Sequence, residues 1–301
     1  MIIAHLSGGL GNQMFQYAFG RALSLRKHTS LALDISSFTY TNNKELGRKY
    51  LLDNFNISGK IATNKDFEMM GIPSLLNQGA WNKFKRRLYR FRESFQPLSK
   101  RTFIIEPQFT FRPEMLDVSQ DSFCVGIWQS EKYFLDQNET IRKDLELKAP
   151  LSLNAETQLV KINNSNSVSL HIRRGDYVVN SLPNKKHGPL SSEYCDKSIR
   201  HILTLNPDST FFIFSDDMKW VKNNLKIDYP KFYISNDNIT DCEELILMSK
   251  CRHNIIANSS FSWWGAWLNT NKEKVVIAPK KWFNVENINT DDLLPHSWIQ
   301  L

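Results

Sequence analysis

Two adjacent arginines stand where a strand is expected to end, near the middle of the chain. The residues at 171–177 read His-Ile-Arg-Arg-Gly-Asp-Tyr, and the apolar run at 168–172 predicts the strand that leads into them. A guanidinium binds a phosphate through two parallel hydrogen bonds and stays charged at physiological pH. Because Gly175 lets the backbone approach a ligand closely, Arg173 and Arg174 together indicate a pyrophosphate site.

Side-chain alternation divides this segment between two faces. On a strand, His171 and Arg173 share one face and Arg174 points away from them. The alternative interpretation is a strand-end cluster in which Asp176 pairs with the arginines and serves solubility. The segment by itself leaves both interpretations open.

A glycine-rich loop at 7–13 follows the first apolar run of the chain, at 2–6. Its position suits a dinucleotide-binding loop, with Asp34 at the end of the second predicted strand as the ribose ligand. The amides of Asn12 and Gln13, at the start of a predicted helix, are placed to donate hydrogen bonds to a ligand. A tight turn that binds nothing is the alternative.

Polar residues follow another apolar run at 214–217. The carboxylate of Asp216 suits the N1 and exocyclic amine of guanine. The alternative is that Ser215 or Asp216 caps a helix beginning near Met218. The pattern is not Asp-x-Asp, so a metal-bridged diphosphate is not indicated.

A third polar segment, at 258–265, opens a helix with the hydroxyls of Ser259 and Ser260 and with unpaired backbone N–H groups, which suit a phosphate. N-capping combined with aromatic core packing is the alternative. A nucleoside diphosphate is the simplest ligand that uses a base contact, a pyrophosphate clamp and a helix N-terminus together.

Short apolar runs alternate with helical patterns in both halves of the chain. The first half opens as strand, loop, helix and strand, and the same rhythm returns from residue 168. This alternation predicts an α/β fold with two domains, at 1–155 and 156–301. The strands predicted in the second half lie at 168–172, 211–214, 254–257 and 275–278.

The composition is that of a globular protein with an anionic partner. A net charge of +7 over 301 residues favours a nucleotide, a nucleic acid or an acidic membrane surface. The four cysteines lack metal-ligand spacing and are expected to be reduced, which favours the cytosol. No apolar run is as long as a transmembrane helix.

A basic amphipathic helix is predicted at 81–95. One interpretation is a helix that docks by its apolar face and leaves its basic face in solvent, and the other is contact with an anionic membrane. The apolar residues that recur at helical spacing among lysines and arginines are Trp81, Phe84, Leu88, Phe91 and Phe95.

Three motifs, at 8–17, 171–177 and 255–265, resemble those of the α-1,2-fucosyltransferases of glycosyltransferase family 11, and they span nearly the whole chain. The resemblance implies a GT-B fold, in which two Rossmann-like domains face each other across a cleft. The N-terminal domain would lie on the acceptor side and the C-terminal domain would bind the donor. The implied reaction is an inverting, metal-independent transfer of L-fucose from GDP-β-L-fucose to the 2-hydroxyl of a terminal galactose, with no cofactor beyond the donor substrate.

The resemblance also implies roles for individual residues. Arg173 contacts the β-phosphate, Arg174 supports it, and Asn12 touches the β-phosphate or the transferred sugar. Asp216 is the residue that contacts guanine. The donor-binding residues besides Arg173 and Asn12 are His171, Arg174, Gly11, Gln13, Asp216, Asp217, Ser259, Ser260 and Phe261.

The role of Asp176 has two interpretations. It is either the base that deprotonates the acceptor hydroxyl or a residue that only orients the arginines. Related fucosyltransferases with a separate base carry a Glu a few residues past the motif, whereas residues 178–190 contain no carboxylate. A loose, oxocarbenium-like path driven by stabilisation of the leaving group is therefore a further alternative.

Two other protein classes fit parts of the sequence: a basic protein that binds nucleic acid or an anionic membrane, and a nicotinamide oxidoreductase. The resemblance favours a bacterial enzyme of surface glycan synthesis, with GDP-fucose and a galactose-terminated oligosaccharide or lipid-linked glycan as partners and no nucleic acid. Because the first strand begins at residue 2, we expect no N-terminal anchor and a cytoplasmic enzyme, peripheral at the inner membrane face if the 81–95 helix contacts a bilayer.

Overall fold

Two parallel sheets form the framework of the protein. The residues described in this computed structural model are 1–39, 48–73, 80–107, 109–175, 188, 190–285 and 288–301. Contacts divide the chain into a first unit, Met1–Lys148 with Asp291–Leu293, and a second unit, Ala149–Thr290 with Leu294–Leu301. The division falls a few residues before the expected boundary at 155/156, because Ala155 already packs in the core of the second unit.

The first unit is built on a parallel sheet. Its strands are β1 (Ile2–His5), β2 (Leu31–Asp34), β3 (Lys60–Ile61), β4 (Phe103–Ile105) and β5 (Ser122–Val125). Its helices are α1 (Leu10–Arg26), α2 (Ser36–Thr39), α3 (Asn64–Met69), α4 (Ala80–Ser94) and α5 (Asn138–Asp144). The strand order among the described residues is β3-β2-β1-β5-β4. The carboxyl ends of β1 and β5 are therefore neighbours in the middle of the sheet.

The second unit has a larger parallel sheet. Its strands are β6 (Asn166–Ile172), β7 (Ser209–Ser215), β8 (Lys231–Tyr233), β9 (His253–Ile255), β10 (Val276–Ala278) and β11 (Ile299–Gln300). Its helices are α6 (Leu153–Asn163), α7 (Ser192–Leu205), α8 (Met218–Asn224), α9 (Asp241–Lys250) and α10 (Ser260–Leu268). The order β8-β7-β6-β9-β10-β11 is that of a Rossmann fold, in which ligands bind where the connections change direction, here between β6 and β9.

The alternation predicted on β6 is confirmed. Val168, Leu170 and Ile172 belong to one buried cluster. His171 is on the opposite face, with its ring 5.7 Å from that of Phe261. Both faces of β6 are covered, as expected of a central strand in a parallel sheet.

The structure shows the state of the four cysteines and the length and polarity of the described helices. Cys124, Cys195, Cys242 and Cys251 are all free and buried, which confirms the expectation of unpaired thiols. Within the described ranges, no helix has both the length and the apolar character needed to span a bilayer.

Helix α4 is present where the amphipathic pattern predicts it, but its orientation differs from the first interpretation. Phe91 and Leu88 on its apolar face are 62% and 52% exposed. The face against the sheet is instead the one that carries Tyr89 and Glu93. Docking through the apolar stripe is therefore wrong for the described part of this helix.

Candidate active site

The exits of β6 and β9 converge at the switch point of the second sheet. The chain continues from β6 into Arg173, Arg174 and Gly175, and from β9 into the segment that opens α10. The ring contact between His171 and Phe261 joins the two exits. The structure thus brings these two polar segments together, and the segment at 214–217 joins them through Asp216.

Asp216, at the exit of β7, holds the arginine segment in place. Its Oδ1 accepts a hydrogen bond from the backbone N–H of Arg174 at 2.8 Å, and its Oδ2 accepts one from the N–H of Gly175 at 3.0 Å. The Nη1 of Arg173 lies 3.1 Å from the same Oδ2. Three donors on a single carboxylate fix the position of the guanidinium, whose side chain remains 20% exposed.

Gly175 allows this close contact. A Cβ at position 175 would lie 2.7 Å from the Oδ2 of Asp216, so any larger residue would displace the carboxylate. The expected contact of Asp216 with guanine stays a prediction. The structure gives this carboxylate an organising role that the sequence did not indicate.

Arg174 has partners of its own, different from the Asp216 carboxylate that holds Arg173. Its guanidinium carbon lies 3.6 Å from the centre of the Trp220 ring, which is a stacking distance. Its Nε is 3.8 Å from the Oδ2 of Asp217, a long ion pair. Arg174 is therefore held by α8, which is consistent with a supporting role.

Asp217, rather than Ser215 or Asp216, caps helix α8. Its Oδ1 accepts a hydrogen bond from the N–H of Trp220 at 3.0 Å, and its own N–H donates to the Ser215 hydroxyl at 3.0 Å. The predicted helix start at Met218 is confirmed, but the capping residue is one position later than expected. One carboxylate oxygen of Asp217 thus serves the helix, and donor binding by this residue stays a prediction.

His171 is buried and neutral. Burial, together with the positive charge of Arg173, lowers the pKa of His171 to about 3. Its Nδ1 is buried without a hydrogen-bond partner among the described residues. Because the His171 ring is uncharged, the positive charge at this strand exit comes from the guanidiniums of Arg173 and Arg174.

The start of α10 combines capping with core packing, as the alternative interpretation expects. The hydroxyl of Ser259 accepts a hydrogen bond from the N–H of Phe261 at 3.3 Å, so Ser259 is the N-cap. Trp263 and Trp264 are fully buried in the helix that follows. Phosphate binding by Ser259, Ser260 and Phe261 stays a prediction.

Asn12 lies in the first turn of α1, at the carboxyl end of β1 in the first unit. Its Oδ1 accepts a hydrogen bond from the Nε2 of Gln129 at 3.1 Å. The preceding loop needs Gly8, which has a left-handed φ of +77°. A Cβ at Gly8 would also lie 2.8 Å from the Nδ2 of Asn12. The loop thus presents a positioned, partly exposed carboxamide.

Gln129 is positioned by an unusual backbone after β5. Trp128 is buried with a left-handed φ of +61°, which is rare for a bulky residue. Its ring stacks on Phe19 at 3.8 Å, and its N–H donates to the Oε2 of Glu106 at 2.9 Å. These contacts hold the turn in its unfavourable backbone conformation, and the turn places Gln129 next to Asn12.

The Gln13 side chain is turned into the protein, and its binding to the donor stays a prediction. Its side chain is fully buried, and its Nε2 donates to the carbonyls of Gly8 and Lys49 at 3.0 and 2.8 Å. Its Oε1 accepts from the N–H of Leu51 at 3.0 Å. Both amide hydrogens are used within the protein, so Gln13 fastens the glycine loop to residues 49–51. Gly11 is buried within the same helical turn.

Asp34 is not available to a ribose. It is fully buried, and its Oδ2 lies 2.7 Å from the Nδ1 of His5. Its Oδ1 accepts from the N–H of Ser36 at 3.1 Å, and the Nε2 of His5 lies 3.1 Å from the Ser37 hydroxyl. The carboxylate serves β1 and α2, which removes the residue on which the dinucleotide interpretation depended.

The described residues do not include Asp176, and they contain no cluster of metal ligands. Asp176 lies outside the described residues, so its two interpretations remain predictions. Within the described residues, no group of three His, Cys, Asp or Glu side chains is close enough to hold a metal ion.

Gln129, Trp220 and the organising role of Asp216 are three features of the site that the sequence did not indicate. Trp220 lies three residues after Asp217 on a predicted helix, and that spacing was a signal for its position. Gln129 has no such signal because its partner Asn12 is 117 positions away.

Comparison with known proteins places this architecture in a family. The model of the family described as Glycosyl transferase family 11 matches residues 1–301. The O-antigen biosynthesis glycosyltransferase WbnK of Escherichia coli is 36% identical, over 98% of this chain and 99% of its own. An alpha-1,2-colitosyltransferase of Escherichia coli is 37% identical, over 100% of this chain and 99% of its own.

The fold itself has a counterpart among solved structures. The fucosyltransferase NodZ from Bradyrhizobium superposes with a TM-score of 0.50 at 13% identity, over 88% of this chain and 91% of its own. This identity is too low to transfer an activity, but the likeness shows the GT-B fold. With a family match along its whole length and two parallel α/β units, the chain belongs to glycosyl transferase family 11.

Proposed function

We propose that this protein is an inverting, metal-independent α-1,2-glycosyltransferase that moves L-fucose from GDP-β-L-fucose to the 2-hydroxyl of a terminal galactose. The observation that carries the proposal is the Arg173 guanidinium, fixed by Asp216 at the switch point of the second sheet. A preorganised cation at this point of a Rossmann-like unit suits the diphosphate of a sugar nucleotide.

In the proposed step, the bond between C1 of fucose and the β-phosphate oxygen breaks while the galactose O2 forms a bond to C1. The electron pair of the broken bond leaves with GDP, where Arg173 stabilises the developing negative charge. The proton of the acceptor hydroxyl passes to Asp176 or, on the oxocarbenium-like path, to solvent. Arg174 and the start of α10 support the diphosphate in this proposal.

A colitosyl donor is the second candidate. It is favoured by the 37% identity to an alpha-1,2-colitosyltransferase over the full length of both chains. The names of the two relatives share glycosyl transfer, and only one of them states a sugar. We therefore propose the α-1,2 linkage for both candidates and fucose as the first donor to test.

The acceptor proposed is a galactose-terminated oligosaccharide or a lipid-linked glycan of surface glycan synthesis. The O-antigen biosynthesis named for the WbnK relative supports this class of acceptor. A cytoplasmic location, with peripheral contact at the inner membrane face, belongs to the same proposal.

The deciding experiment incubates the purified protein with GDP-fucose or GDP-colitose and a panel of galactosides, with EDTA present. We expect transfer to terminal galactose, with an α-1,2 linkage identified by NMR of the product. Transfer only after addition of a divalent cation would reject metal independence, and a different linkage would reject the proposed regiochemistry.

Asp176→Asn separates the two roles of that residue. Near-complete loss of turnover with unchanged GDP affinity would identify a base, whereas weakened GDP binding would identify an orienting role. Calorimetric titration with GDP and turnover under saturating donor provide the two readouts.

A further inference from the structure

Helix α4 is fastened to the first sheet by its polar side. The Glu93 carboxylate accepts hydrogen bonds from the N–H groups of Thr102 and Phe103 at 2.6 and 3.2 Å. Tyr89 hydrogen-bonds the Thr102 hydroxyl and packs against the core cluster that contains Phe103 and Phe123. These contacts fix which side of the helix faces outward.

The outward side of α4 is a continuous apolar stripe. Positions 84, 88, 91 and 95 are three or four residues apart, so their side chains lie above one another on one face. Phe84 is 56% exposed, Leu88 52%, Phe91 62% and Phe95, just after the helix, 73%. The rings of Phe91 and Phe95 meet edge to face at 5.0 Å. Clustered exposure of this kind marks an interaction surface.

Positive charge flanks the stripe on both sides. Exposed basic residues next to the stripe are Lys85, Arg87, Arg90 and Arg92. Residues 80–94 contain six lysines and arginines and one acidic residue, Glu93, whose carboxylate is bound to Thr102 and Phe103. The surface therefore combines apolar side chains at its centre with cations at its borders.

We infer that the outer face of α4 docks on a bilayer that contains anionic phospholipid. The four apolar side chains would enter the boundary between headgroups and acyl chains, while the lysines and arginines would contact the phosphates. The lysines and arginines could also bind the phosphates of a nucleic acid, but a nucleic acid would leave the apolar stripe exposed to water. Charge and apolar stripe together therefore favour a lipid surface, which would bring the enzyme to a lipid-linked acceptor.

The test is sedimentation of the full-length protein with vesicles of phosphatidylcholine, with or without phosphatidylglycerol. We expect binding only to the anionic vesicles and a decrease with added salt. Phe91→Ser combined with Phe95→Ser should weaken binding at least about tenfold, since burying one aromatic side chain in an apolar environment strengthens binding by about that factor or more. Arg87→Gln combined with Arg92→Gln should also weaken it and flatten the salt dependence.

The matched control removes apolar side chains that are exposed elsewhere. Leu153→Ser combined with Leu205→Ser changes residues that are 79% and 53% exposed on the second unit, and it should leave vesicle binding unchanged. Circular dichroism melting would show that each variant folds. Because the assay contains no sugar nucleotide, its result is independent of the proposed transferase activity.

Three results would overturn the inference. The first is wild-type protein that stays in the supernatant with anionic vesicles at low salt. The second is an equal loss of binding in the phenylalanine pair and in the control pair. The third is retardation of RNA that the arginine pair abolishes while vesicles are ignored, which would identify a nucleic-acid surface.

Discussion

The Nη1 of Arg173 lies 3.1 Å from the Oδ2 of Asp216, a carboxylate that also accepts the backbone N–H groups of Arg174 and Gly175. This pair connects the exits of two neighbouring strands, β6 and β7. The geometry makes Asp216 a positioning residue for the proposed diphosphate clamp.

We expect Asp216→Asn to weaken GDP binding about tenfold, because an amide nitrogen next to backbone donors replaces an acceptor of charge-assisted hydrogen bonds. Calorimetric titration with GDP measures the change. Asp217→Asn is the matched control, since asparagine caps a helix as well as aspartate does. Equal losses in both variants would contradict the positioning role.

Arg173→Lys tests the guanidinium itself. The charge is kept, but a single ammonium cannot replace the planar fork, so we expect turnover to fall by about 10²- to 10³-fold. The measurement is turnover with saturating donor, alongside thermal unfolding to show that the variant is folded. Activity within a few-fold of wild type would remove Arg173 from the clamp.

Gln13→Leu should affect stability rather than catalysis. The substitution leaves the carbonyls of Gly8 and Lys49 and the N–H of Leu51 without their partner, at a cost of about 3 kcal/mol in the free energy of unfolding. Urea unfolding measures this loss. Asn12→Ala is the comparison, expected to lower turnover with a smaller change in stability, and the reverse ranking would be evidence against these assignments.

The buried imidazole of His171 predicts a specific pH dependence. Its pKa is about 3 in the folded state and about 6.5 in the unfolded chain, so between these values the unfolded state binds the extra proton. The free energy of unfolding therefore falls as the pH is lowered, by about 2 kcal/mol from this group between pH 7 and pH 5.

His171→Gln should remove that part of the pH dependence. Urea unfolding gives the free energy of unfolding of the wild type and the variant at pH 7 and at pH 5. We expect the two free energies to differ less at pH 5 than at pH 7. The same difference at both pH values would show that His171 has an ordinary pKa in the folded protein.

Much of the second sheet was predictable from apolar runs. The predicted strands at 168–172 and 211–214 lie within β6 and β7, because buried parallel strands are continuously apolar. Strands β8 and β11 were missed since they are short, partly exposed edge strands with little apolar signal. Helix α1 begins at Leu10, inside the segment at 7–13 that the sequence analysis assigns to a loop, because glycines at 8, 9 and 11 are typical of a loop.

The sequence by itself determined the family, the alternation of strands and helices, and the strand exit that carries Arg173 and Arg174. Only the tertiary structure decided how each polar side chain is used. Gln13 meets a segment 36 residues away and Asp216 one 42 residues away, partners that no local spacing encodes. The same holds for α4: its periodicity shows two faces, but the contact of Glu93 with Thr102 decides which of them faces outward.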